Sequence, residues 1–281
     1  MKGEQWEFDS SYPGAVATAV DVWKHRWLLR LVATRAFNRM YRRTLLGWTW
    51  AVINPLLPLA LQVLIFGALL GVGSNGLPYF LFLLGGSVAW DLFAGVVMRA
   101  TRALEMHRDL SELIYYPRAI LPFGNIVPEL TGLGIKICVF VAVLPYYLWH
   151  DGRTYVQVGP GLLVGLAALV LALMFALGIS FFTSIWGEST RDMRFALGQL
   201  TDVWYMLTPV LYPLSQVPPK YQAFVALNPM AIIVETFKWG IFGVGEFRPE
   251  WFAGTAIAVV ALFTAGLVYF ARTEARTIDA R

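Results

Sequence analysis

Four ionisable residues, Asp91, Glu129, Lys136 and Asp202, stand inside otherwise apolar stretches of this sequence. Charge is expensive in hydrocarbon unless it faces an interior or a partner, and carboxylates near an ammonium are the raw material of a proton relay or of acid–base catalysis. Glu129 and Lys136 are seven residues apart and so share one helix face. Interhelical hydrogen bonds, or positions near a membrane surface, explain the four more plainly than a relay does. A membrane glycosyltransferase or acyltransferase built on Asp91, Glu129 or Asp202 is a further alternative, but no His-Asp pair or loop aspartate cluster supports it. His25, His107 and His150 fall in separate segments and Cys138 is the single cysteine, so neither a metal centre nor an intrachain disulfide is expected. No lysine follows a glycine, which excludes the Gly-Lys pair of a P-loop. Any ATP drive would therefore come from another polypeptide.

The elements that hold these residues are dictated by composition. Hydrophobic residues make up 58% of the 281 and charged residues 14%, which is the balance of a membrane-embedded chain. A bilayer core of about 30 Å needs roughly 20 mostly apolar residues per helix. That rule predicts six spans, at Leu45 to Leu70, Tyr79 to Val97, Ile120 to Trp149, Val156 to Trp186, Phe195 to Tyr212 and Trp251 to Phe270. The third and fourth are long enough to tilt or project. The mixed, charged Met1 to Pro13 does not resemble a cleaved secretory signal, so the N-terminus is expected to stay where it is made. With it inside, 17 Lys and Arg fall on the cytoplasmic side and four outside, which predicts cytoplasmic termini. The net charge of +4 then reflects topology rather than nucleic-acid binding.

Three stretches outside the spans carry a pattern. Thr18 to Phe37 is too charged to cross, yet Val20, Trp23, Trp27 and Leu31 recur at helical spacing. It reads as an interfacial helix on the cytoplasmic leaflet, or as one packed on a soluble partner. Arg102 to Pro122 interleaves Leu104, Leu110, Leu113 and Ile114 with Glu105, Arg108, Asp109 and Glu112, a short amphipathic helix ending before Pro117. With Gly187 to Arg194, which contains Arg191 and Asp192, it offers two charged contact points for a mechanical partner; the plainer alternative is a solvated loop helix. Beyond the fifth span, the apolar limbs on either side of Asn228-Pro229 are each too short to cross. Broken segments persist in lipid only when packed on protein or lining a wet cavity, so a re-entrant hairpin at an outer mouth is predicted ahead of a surface loop.

Aromatics are abundant, with 19 Phe, 12 Tyr and 11 Trp. Trp90, Trp149, Trp186 and Trp251 fall at span ends, where interfacial anchoring accounts for them. Trp48, Trp50, Trp204 and Tyr205 are less easily dismissed, because aromatic faces suit the C–H faces of sugar rings; core packing is the default for any one of them.

Three motifs belong together: YRRTLLGWTWAVINPLL opening the first span, YYPRAILP, and ALNPMAIIVETFKWGIF after the fifth. They closely resemble the permease subunit of polysaccharide-exporting ABC-2 transporters, the family of O-antigen, teichoic acid, capsule and galactan exporters. The likeness runs from about Ala17 to Phe270. It implies an all-α ABC-2 fold of six spans over residues 44–272, with an N-terminal cytoplasmic segment over 1–43 and a tail over 273–281. It implies a homodimer around a channel, two copies of a separate ABC ATPase that binds ATP and magnesium, and a polyprenyl-pyrophosphate-linked glycan as cargo, at the bacterial inner membrane. No cofactor is implied in this chain. A coupling helix at about 104–116 would place Glu105, Arg108, Asp109 and Glu112 on the ATPase, with Arg191 and Asp192 beside them. Arg39, Arg42 and Arg43 would sit at the substrate entrance, although the positive-inside rule explains them without a substrate. Trp48, Trp50, Trp204, Tyr205 and Tyr212 become channel candidates, and Asn228, Pro229 and Glu235 belong to an outer gate at about 213–245. An ABC-2 exporter of a small molecule or lipid is the alternative within transport.

Overall fold

The computed structural model describes residues 20, 23–41, 44–107 and 118–279, without the side chains of 39–41, 188, 189, 191 and 274–279. Among them the regular structure is helical throughout, with no strand. We number the helices α1 (Arg26–Tyr41), α2 (Thr49–Gln62), α3 (Tyr79–Thr101), α4 (Ala103–Met106), α5 (Ile120–Gly124) and α6 (Val127–Asp151). There follow α7 (Gly161–Ser189), α8 (Arg191–Leu207), α9 (Pro219–Ala226), α10 (Pro229–Phe242) and α11 (Pro249–Asp279).

Five stretches are long and apolar enough to cross a membrane: Thr49–Leu69, Tyr79–Thr101, Ile120–Asp151, Gly161–Gly187 and Pro249–Thr273. The pair α9–α10, bent by 101°, supplies a sixth if it is counted as one broken span. The predicted fifth span corresponds to α8, which at 17 residues is short for a full crossing and has a strongly two-sided pattern. This all-helical architecture with its five or six candidate spans makes the chain an integral membrane protein.

Proline shapes α2. Pro55 and Pro58 lie inside it and lack the N–H that would pair with the carbonyls of Ala51 and Asn54. The helix runs on through both and widens into a π-helical turn at Val63–Leu69. The bundle core sits elsewhere. α7 packs on α11, α3 and α10, and Phe93, Phe175, Phe181 and Phe270 fill the spaces between them. α10 approaches α7 so closely that a Cβ at Gly240 would lie 2.6 Å from the Gly161 carbonyl oxygen and the Gly165 nitrogen. Small residues at such crossings let backbones meet where lipid gives no hydrophobic drive for association.

The predicted interfacial segment continues into α1. Its tryptophans face out, with Trp23 72% and Trp27 61% exposed, while Leu28, Val32 and Ala36 are buried. That second stripe rests on α5 and α6, so the tryptophans are left for a surface outside this chain.

Candidate functional site

The four intramembrane ionisable residues resolve largely into interhelical pairs between α3 and α6. Arg99 at the end of α3 pairs with Glu129, one turn into α6. Gly95 makes room for it, since a Cβ there would overlap the Glu129 carboxylate. Lys136, buried, pairs with Asp91 and donates to Ser87 Oγ at 2.8 Å and to the Ser87 carbonyl at 3.3 Å. Three acceptors meet the three N–H bonds of the ammonium. The plain reading of these charges therefore holds for three of the four, with Lys136 spent on Asp91 and Glu129 on Arg99 across the α3–α6 contact.

A cavity of about 310 Å³ opens beside the pairs, walled by α2, α3 and α6. Ala51 and Asn54, whose carbonyls lost their helical partners to proline, line it. A second cavity of about 230 Å³ shares Asn54, Pro55, Asp91 and Lys136 with the first and reaches Gln62, Asp202 and Tyr205. A polar recess thus runs along α3 between α2 and α8.

Of the five aromatic candidates, two come together. Trp204 sits edge-on to Phe93 (5.2 Å), Phe175 (5.8 Å) and Trp90 (6.3 Å), with Tyr205 5.5 Å from Trp90. Tyr205 donates to Gln62 Oε1 at 3.0 Å, which ties α8 to α2. Trp48 and Trp50 stand apart and exposed at the start of α2, with Trp48 4.7 Å from Phe37 of α1. Tyr212 donates to the Met206 carbonyl at 3.3 Å.

Asn228 organises the bend between α9 and α10. Its side-chain oxygen caps α10 through Met230 N at 3.0 Å and accepts from Trp204 Nε1 at 2.8 Å. Its amide donates to Thr208 Oγ1 at 3.0 Å. Pro229 follows as the first residue of α10, where its missing N–H costs nothing. Glu235 pairs with Lys238; Lys238 is fully buried, donates to the Pro209 carbonyl at 2.9 Å and lies 4.1 Å over the Phe82 ring. As sequence, Lys238 is one of the four Lys and Arg assigned to the outer side, with Arg153, Lys220 and Arg248. The glutamate three residues before it, on one helix face, was the signal for a pair.

At the opposite end Glu105 of α4 pairs with Arg194 of α8, so the two predicted contact points are joined. Asp192 is exposed. Arg108, Asp109, Glu112, Arg42 and Arg43, and the side chains of Arg39 and Arg191, lie outside the described residues. A His-Asp contact, which the sequence reading took to be lacking, lies at the end of α6. His150 Nδ1 is 2.8 Å from Asp151 Oδ1, and Asp151 accepts from the Tyr155 hydroxyl at 2.8 Å, which raises the tyrosine's pKa above its ordinary value. Among the described residues no three His, Cys, Asp or Glu stand close enough to share a metal ion.

The ABC-2 type transporter family matches residues 28–242, from α1 to the end of α10. The chain belongs to that family. Individual relatives align along most of their length. The O-antigen export system permease protein RfbA of Myxococcus xanthus is 28% identical over 90% of this chain and 95% of its own. The polysialic acid transport protein KpsM of Escherichia coli is 22% identical over 82% of this chain and 85% of its own. The inner membrane transport permease YadH of Escherichia coli K12 is 25% identical over 77% and 85%.

Proposed function

We propose that this chain is the membrane-spanning half of an ATP-driven polysaccharide exporter in the inner membrane, with both termini cytoplasmic. The observation that carries the reading is the near full-length match to a permease named for O-antigen export, 90% of this chain against 95% of that one. Two copies surround a channel, and two copies of a separate ABC ATPase bind ATP and magnesium beneath them. The cargo is a glycan linked to polyprenyl pyrophosphate, moved from the cytoplasmic side outward.

In this reading Glu105, Arg108, Asp109, Glu112, Arg191 and Asp192 meet the ATPase. The Glu105–Arg194 pair supports a shared role, because it binds the α4 segment to the start of α8. Arg39, Arg42 and Arg43 complement the pyrophosphate as it arrives from the inner leaflet. Trp48, Trp50, Trp204, Tyr205 and Tyr212 border the path. The Asn228-Pro229 bend with Glu235 forms the outer gate, a role supported by the hydrogen bonds of Asn228 to both α8 and α10.

Depletion of the protein in its native host is expected to accumulate lipid-linked polymer on the cytoplasmic side. Normal surface glycan in a clean deletion strain without a redundant exporter overturns the proposal.

A further inference from the structure

The smaller cavity between α2, α3 and α8 has a chemistry that the aromatic candidates do not explain. Its volume of about 230 Å³ is below the roughly 300–1,000 Å³ of clefts that hold drug-sized ligands. That is room for one sugar ring rather than a lipid chain. Its walls offer Asn54, Gln62, Asp91, Asp202 and Tyr205. Asn54 and Asp202 are exposed and have no hydrogen-bond or ionic partner among the described residues. Gln62 uses its oxygen to accept from Tyr205, which leaves its amide free to donate. The one cation, Lys136, is buried, and its donors are spent on Ser87 and Asp91. The Asp91 carboxylate, by contrast, is 53% exposed.

The cavity therefore presents two carboxylates against a single ammonium that no ligand can reach. A uronate, sialate or phosphate would meet like charge without a compensating donor of full charge. A neutral sugar meets what it needs: carboxylates and amide oxygens that accept from its hydroxyls, and amides that donate to its oxygens. We propose that this cavity is a sugar-binding subsite that holds one uncharged ring of the passing polymer, with Asp91 and Asp202 accepting from its hydroxyls, and that the exported glycan is neutral. The inference rests on the export reading and narrows its substrate class.

Two measurements test it. Full-length protein in nanodiscs is titrated with maltohexaose and with the acidic hexasaccharide of galacturonic acid, followed by calorimetry. The neutral probe is expected to bind about tenfold more tightly, Asp202→Asn to narrow that gap, and Asp202→Lys to close or reverse it. Asp202 has no internal partner among the described residues, so neither variant disturbs packing. Equal or tighter binding of the acidic probe by the unaltered protein, a preference that Asp202→Lys leaves unmoved, or no binding of either probe at millimolar concentration overturns the subsite. The second measurement is anion-exchange chromatography of the polymer that accumulates on depletion. A neutral polymer supports the inference. An anionic polymer overturns it while leaving export intact, whereas the absence of any accumulating polymer strikes the export reading itself.

Discussion

α2 and α10 look alike as sequences. Both are apolar 14-residue helices carrying proline, and neither has the composition of a surface element. In the fold they are opposites. Every residue of α10 from Met230 to Lys238 is buried, whereas in α2 only Ala51 and Leu59 are. Hydrophobicity does not separate them, because a lipid tail is as good a neighbour for leucine as another leucine is. What separates them is close approach and internal polar anchoring. α10 brings Gly240 onto the α7 backbone and holds Lys238 and Glu235 together in the interior, while α2 has no glycine between Thr49 and Gln62. In a membrane the helix with a close-approach glycine and a buried charged pair is the one drawn to the centre, while α2, whose Asn54 and Gln62 open on a cavity, keeps an aliphatic face for lipid or a second copy.

The contrast breaks most sharply at the buried pair. Lys238→Met leaves Glu235 enclosed without a counter-charge, which costs about 3–5 kcal/mol. Thermal unfolding of detergent-purified protein should show a large loss, and adding Glu235→Leu should recover much of it. If the single variant were as stable as the parent, the pair would not be what fixes α10. A smaller loss is expected for Gly240→Ala, whose methyl group strikes the Gly161 and Gly165 backbone, at about 1–3 kcal/mol. The same change at Gly132, where nothing lies within 4 Å of a new Cβ, should stay within about 0.5 kcal/mol. Smallest of all is Leu57→Ser on the exposed face of α2, expected to leave unfolding within about 0.5 kcal/mol. Its effect should appear instead as weaker self-association on size-exclusion in mild detergent. A large unfolding defect there would show that α2 is held by its own chain after all.

The same physics decides how much of the molecule could be read in advance. Span positions were legible because backbone in lipid must satisfy itself over a fixed thickness, and the helices from Tyr79 and Ile120 begin where the apolar runs do. The motif after the fifth span correctly marked a break at Asn228-Pro229. What the sequence withheld was rotation and depth. Nothing in Glu129 or Asp91 names a partner 30 or 45 positions away, and Arg99 is only one of the 17 cytoplasmic charges until α3 and α6 are set side by side. How far Trp204 and Tyr205 pack in the core and how far they face a cavity likewise needed tertiary contacts. The depth of α10 was hidden for the opposite reason. A segment too short to cross looks peripheral, and only its packing against α3, α7 and α11 shows it to be central.

One consequence concerns α8. Arg194 fastens its first turn to α4, and Trp204 and Thr208 fasten its last to the elbow at Asn228. The intervening rod is on the order of 20 Å long at 1.5 Å per residue. A stiff rod fixed at both ends transmits load rather than absorbing it. A pull applied at Glu105 has no slack to take up along the way, and is shared at the far end between Asn228 and the Gln62 side chain that holds Tyr205.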